Sequence, residues 1–148
     1  MINKKNVLEK PYLIGSWIQI GNPNITSMMI KSGFDFLVMD MEHGSITESD
    51  LEELFEVFTD TNCIPMVRVA KNNEIMIRRV LDLGAKGIIL PNVNSLKDIN
   101  KAVKAIFYPP DGARGIGFSK ANNYGIDFDS YFNNFNENII LVGQIENK

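Results

Sequence analysis

Five apolar runs, each separated from the next by a segment of helical period, limit this chain to a small set of folds. The runs fall at residues 13–20, 36–41, 64–69, 86–91 and 139–145. Between the first two, Asn22-Pro23-Asn24 opens a short helix through Met28 and Met29 that closes at Gly33. Thr47 with Asp50 three residues on resembles a capping box, and Leu51, Leu54, Phe55 and Phe58 then form an apolar stripe. A helix over 74–83 ends at Gly84, a residue suited to stop it. Ser95 and Asp98 start the next, striped by Ile99, Ala102, Val103 and Ile106. A loop rich in glycine and asparagine, 108–125, and a short helix near 128–135 lead to the last run. Strands separated by helices must pair in parallel, because each crossover returns the chain to the same end of the sheet. Two α/β architectures satisfy this: an open doubly wound sheet, complete at five strands, or a (β/α)8 barrel lacking its last three. No linker or composition shift divides residues 1–148, so one domain is expected.

Composition removes several function classes. A net charge of −3 over 148 residues gives no electrostatic basis for a nucleic-acid or anionic-membrane partner. No apolar stretch is long enough to cross a bilayer as a helix. The first ten residues carry Lys4 and Lys5 but no apolar run behind them, so they do not read as a signal peptide. A lone cysteine, Cys63, excludes an internal disulfide and fits a reducing cytoplasm. Its place at the start of an apolar run marks it as buried filler rather than a nucleophile.

The polar residues gather where the strands end. The only histidine, His43, follows the run 36–41 with Asp40 and Glu42 beside it. The third run gives Arg68, the fourth Pro91 and Asn92, the fifth Gln144 and Glu146. In either architecture these ends share one face, so acid–base chemistry can converge there. Arg68 within Met66-Val67-Arg68-Val69 must either pair with a local carboxylate or bind an anionic substrate. Asp82 sits at a helix C-terminus, where the dipole disfavours an anion, which calls for a cationic partner such as the imidazole. Trp17, near the end of the first run, reads as core or pocket wall, and Glu146 alone as a helix-start acid or a metal ligand. The string 111–117 lacks the Lys-Ser/Thr of a phosphate loop, so its glycines are expected to serve tight turns.

Gly15-Ser16-Trp17, Asp40-Met41-Glu42-His43-Gly44, Val67-Arg68-Val69, Leu81-Asp82-Leu83-Gly84-Ala85 and the string from Tyr108 to Gly115 occur in this order. With Gln144-Ile145-Glu146, they resemble the HpcH/HpaI aldolase and citrate lyase family, nearest its class II pyruvate-dependent aldolases. The resemblance implies a (β/α)8 TIM-barrel framework, truncated here after about five β/α units. It also implies metal-dependent retro-aldol cleavage of a 4-hydroxy-2-oxo acid to pyruvate, or an analogue, and an aldehyde. His43 would be the base, with Asp40 and Asp82 orienting and charging its ring. Arg68 would hold the pyruvyl oxygen, Gln144 and Trp17 would line the substrate pocket, and Glu146 would bind Mg²⁺, Mn²⁺ or Co²⁺. The family's second metal-binding Asp, in a Gly-Pro-x-Asp-like segment, has no counterpart in 1–148. A homo-oligomer or a complementing C-terminal half is therefore the expected partner. The competing readings are a non-catalytic half-barrel remnant and a citrate-lyase-like enzyme acting on an acyl-CoA thioester.

Overall fold

The computed structural model describes residues 9–147. The reading of the extreme N-terminus as lacking a signal peptide rests on residues 1–8 and lies outside the described residues. The elements alternate as expected: β1 (Gly15–Ile18), α1 (Pro23–Lys31), β2 (Phe36–Asp40), α2 (Glu48–Glu56), β3 (Ile64–Arg68) and α3 (Glu74–Leu83). They continue as β4 (Gly87–Leu90), α4 (Leu96–Ile106), a 3₁₀ turn (Lys120–Gly125), α5 (Phe128–Asn138) and β5 (Ile140–Gly143). Caps act where the sequence puts them. Thr47 and Asp50 form a reciprocal capping box, and Ser95 accepts from the Asp98 amide.

All four strand pairings are parallel, in the order β1-β2-β3-β4-β5. That order separates the two candidate architectures. A doubly wound sheet reverses its strand order at a switch point, which sends helices to both faces. A strictly sequential order keeps every right-handed crossover on one face, as in a barrel. The packing agrees: Leu37, Met39, Val67, Ile88 and Leu90 meet the stripes of α2, α3 and α4 in the main core. On the other face a smaller cluster of Val38, Ile64, Met66 and Ile89 packs with Phe36 and Ile140. Among the described residues, β1 and β5 each have one sheet neighbour.

The first and last strands are shorter than the apolar runs. Ile14, Ile20 and Ile145 are exposed and lie outside the ladder, which joins 15–18 to 36–39 and 87–90 to 140–143. The expected loop 108–125 contains the 3₁₀ turn, and the helix after it runs three residues further, to Asn138. Cys63 is buried and its thiol is pushed up to about 11 by burial, as a filler's would be. Of the loop glycines, Gly112 is required: a Cβ there would stand 2.2 Å from the Phe107 carbonyl oxygen. Gly115 and Gly117 face open space, so the tight-turn reading holds for the first and not for these two.

Candidate active site

Side chains alternate along a strand, and the smaller cluster fixes which parity faces inward. Val38 lies two residues before Asp40, and Met66 two before Arg68; Asp40 and Arg68 are register partners. Trp17 is the register partner of Val38, so it shares that face. On β5 the same parity runs from Ile140 through Val142 to Gln144 and Glu146. The inner face is thus apolar at the strand starts and polar at their C-terminal ends.

Asp40 is fully buried and ties the site together. Its carboxylate accepts from Arg68 Nε at 2.9 Å and Arg68 Nη2 at 2.6 Å, a side-on bidentate pair. It also accepts from the Glu42 and His43 amides at 3.0 and 3.2 Å, and from Gln19 Nε2 at 3.3 Å. Burial pulls its pKa upward, but the Arg68 bond and the two amides outweigh that and hold it at about 2. The turn closes tightly behind: a Cβ on Gly44 would lie 2.4 Å from the Asp40 carbonyl oxygen, so only glycine fits.

Arg68, whose side chain is 11% exposed, is held on three sides. Asp40 grips one edge, Glu42 Oε2 lies 3.2 Å from Nη1, and the Trp17 ring centroid is 4.6 Å from Cζ. Its pKa is raised, chiefly by the Asp40 hydrogen bond, with the charges of Asp40, Glu42 and Glu146 adding to it. A guanidinium carries five N–H donors. Two go to Asp40 and one faces Glu42, which leaves two for a ligand. The sequence left pairing and anion binding as alternatives for Arg68; the geometry accommodates both at once.

Asp40 was expected to orient the His43 ring, and it holds the His43 amide instead. The physical reason is that both Asp40 oxygens are spent on Arg68 and the turn. The imidazole is 68% exposed, and Glu42 Oε2 lies 3.9 Å from its Nε2. Asp82 was expected to meet the imidazole too. Within the chain it pairs with Arg114 Nη2 at 2.6 Å. Asp82 lies at the C-terminal end of α3, next to Lys86, whose amide bonds to Pro65 at the start of β3. That places it at the opposite end of the sheet from His43. Arg114 supplies the positive charge that the helix terminus asked for, over Tyr108 and Phe135 at 4.8 and 4.6 Å.

Gln144 and Glu146 leave β5 on the same side as Arg68. The Gln144 amide and carbonyl pair with Leu90 and Val93, while its Oε1 is buried without a hydrogen bond. Glu146 Oε1 accepts from the Asn92 amide at 2.9 Å, and Asn147 reaches Asn92 Oδ1 at 3.1 Å. Asn92 presents that amide from a left-handed conformation, φ 53°. Sequence reasoning named Glu42 and Asn92 at strand ends without giving either a role, and missed Gln19. Asn92 carried a signal, as an asparagine after proline in a turn; Gln19 carried none.

Among the described residues no three His, Cys, Asp or Glu side chains converge as a ready metal cage. The donor chemistry nonetheless suits a hard cation: the Glu146 carboxylate and, two positions earlier along the same strand end, the orphaned amide oxygen of Gln144. Charge points the same way. Asp40, Glu42 and Glu146 against Arg68 leave the mouth net negative by two, which would repel an anionic ligand arriving alone.

Residues 13–148 match the family model for HpcH/HpaI aldolase/citrate lyase. The chain belongs to that family. It is 34% identical over 146 residues to a 5-keto-4-deoxy-D-glucarate aldolase of Escherichia coli O139:H28 (strain E24377A / ETEC), a match covering 98% of this chain and 57% of that protein. The solved HpcH/HpaI aldolase from Desulfitobacterium hafniense DCB-2 superposes with a TM-score of 0.89 at 26% identity, over 99% of this chain and 57% of that one. The citrate synthase SbnG gives a TM-score of 0.81 at 29% identity over the same shares. The chain therefore spans little more than half the length of the relatives it matches. Its five-stranded sheet is the corresponding part of an HpcH/HpaI barrel framework.

Proposed function

We propose that this HpcH/HpaI chain carries the oxo-acid-activating part of a class II, metal-dependent carbon–carbon lyase. The reaction is retro-aldol cleavage of a 4-hydroxy-2-oxo acid to pyruvate, or an analogue, and an aldehyde. The observation that carries this reading is the clamped Arg68 guanidinium with two N–H groups to spare, at a strand-end mouth it shares with His43, Gln144 and Glu146.

A divalent cation held by Glu146 with Gln144 beside it, Mg²⁺, Mn²⁺ or Co²⁺, would supply Lewis-acid polarisation of the 2-oxo acid. Arg68 offers fixed donors where negative charge develops on the 2-oxo oxygen, and its clamp means little reorganisation as that charge grows. His43 takes the proton of the 4-hydroxyl; the C3–C4 bond breaks, its electrons pass to the enolate, and the C4 oxygen becomes the aldehyde carbonyl. Reprotonation at C3 yields pyruvate. Trp17 walls the pocket and keeps the guanidinium flat. Asp40 acts through Arg68 and the His43 backbone, and Asp82 serves the Arg114 pair rather than the reaction. The setting is cytoplasmic, and a second copy of the chain is the proposed partner; among the described residues β1 and β5 each have one sheet neighbour.

The direct test is pyruvate release from a panel of 4-hydroxy-2-oxo acids by purified chain, with Mg²⁺ or Mn²⁺, with chelator, and with His43→Ala. Metal-dependent release that disappears in the variant is expected. Folded protein that releases no pyruvate with any metal or acid refutes the proposal for this chain.

A further inference from the structure

We infer that Glu42 is a positioning residue, coupling Arg68 to His43 through one carboxylate oxygen. The inference rests on the lyase reading above only for its consequence in turnover. Glu42 Oε2 is buried and makes no hydrogen bond of good geometry, on a side chain only 15% exposed. The same oxygen lies 3.2 Å from Arg68 Nη1 and 3.9 Å from His43 Nε2, the two groups that would meet opposite ends of the reacting bond. A desolvated carboxylate oxygen whose one close cation meets it off hydrogen-bond geometry still has acceptor capacity to fill.

Closing the remaining distance to the imidazole would complete it. An Nε2–H donated to Glu42 leaves Nδ1 with the lone pair, so Glu42 would fix both the tautomer and the direction from which His43 takes a proton. No other described carboxylate fills this place. Asp40 is saturated by Arg68, Gln19 and two amides, and Asp82 is engaged with Arg114. Asp40 fixes the Glu42 amide at 3.0 Å and so sets where the side chain starts. Glu42 then acts as the hinge of a three-part unit: removing its charge frees the second edge of Arg68 and releases the ring of His43 together.

Glu42→Gln and Glu42→Asp in the full chain test this with two readouts that need no turnover. Ethoxycarbonylation by diethyl pyrocarbonate reports the chain's single imidazole, and ¹⁵N spectra of the Arg68 guanidinium report how freely it rotates. At mildly alkaline pH, Glu42→Gln is expected to slow His43 modification several-fold and to speed rotation of the Arg68 Nη1 group, the one edge Asp40 does not hold, with Glu42→Asp partly restoring both. If Glu42→Gln leaves the modification rate or the Arg68 signals as in the unaltered chain, the coupling is overturned. Where pyruvate release is measurable, kcat falls about tenfold or more, the scale of a misaligned acid–base group, with KM changed far less. Shifted probes with no pyruvate release from any form would defeat the lyase reading and leave the coupling standing.

Discussion

Replacing Asp40 by Asn removes one charge and changes almost no volume, yet it strikes a fully buried residue that five donors converge upon. Two effects add. The carboxyl titrates at about 2 in the folded chain against 3.8 as its ordinary value, nearly two pH units, which corresponds to about 2 kcal/mol of native-state stability at neutral pH. A depressed acid pKa contributes above the unfolded value and is lost as pH falls through the folded one, so this part disappears between pH 3.8 and about 2. The Asn side chain also turns an amide N–H toward donors, and Arg68 is left with Glu42 as its nearest counter-charge. Breaking a buried pair from one side costs about 3–5 kcal/mol; the surviving Glu42 contact places this site near the lower end. Urea unfolding followed by far-UV circular dichroism should show a loss of about 3 kcal/mol at pH 7, a large share of the stability of a domain this size. On acidification the difference between the two proteins should shrink. A loss under about 1 kcal/mol, or a gap that stays constant down to pH 2, would refute the view that Asp40 is the charged centre of the site.

Arg68→Lys keeps a charge but cannot reproduce the bidentate edge or the flat contact with Trp17, so pyruvate release should fall about a hundredfold or more in kcat/KM assays. Asp82→Asn should lower thermal stability by about 2–4 kcal/mol, because the Arg114 side chain is wholly buried, while the rate of His43 modification stays unchanged. A changed rate would return Asp82 to the histidine. The Cys63 thiol, pushed up to about 11, should resist Ellman's reagent at pH 8 until urea unfolds the chain; rapid native-state reaction would contradict its burial.

The β–α order, every helix, and the caps at Thr47 and Ser95 were legible because each depends on near neighbours in sequence. The convergence of Asp40, Arg68, Gln144 and Glu146 was legible too, since parallel topology forces strand C-termini to one side. Who pairs with whom was not. Asp40 and Asp82 were both assigned to the histidine ring, but spacing along the chain says nothing about competition for an acceptor. Arg68 lies across the β2–β3 ladder from Asp40, and register alone decides that contact. Arg114 comes from a loop 32 residues after Asp82, beyond any local pattern. The family resemblance carried residue types faithfully and their partners less so.

The same crowding bears on how any activity measurement here must be read. Asp40 holds Arg68, the His43 backbone and the Glu42 backbone at once, so its removal confounds folding with chemistry. The His43 side chain is 68% exposed, and Glu42, though only 15% exposed, has neighbours in Arg68 and His43 rather than in the apolar core. Their variants are the ones that separate a chain unable to hold its shape from one unable to move a proton. A double variant makes the distinction quantitative. If Glu42 acts on both Arg68 and His43, Glu42→Gln added to Arg68→Lys should cost less than the product of the two single losses, because the clamp is already gone, yet more than Arg68→Lys alone, because the His43 ring is still released. A double variant no worse than Arg68→Lys alone would leave the clamp on Arg68 as the whole of what Glu42 does.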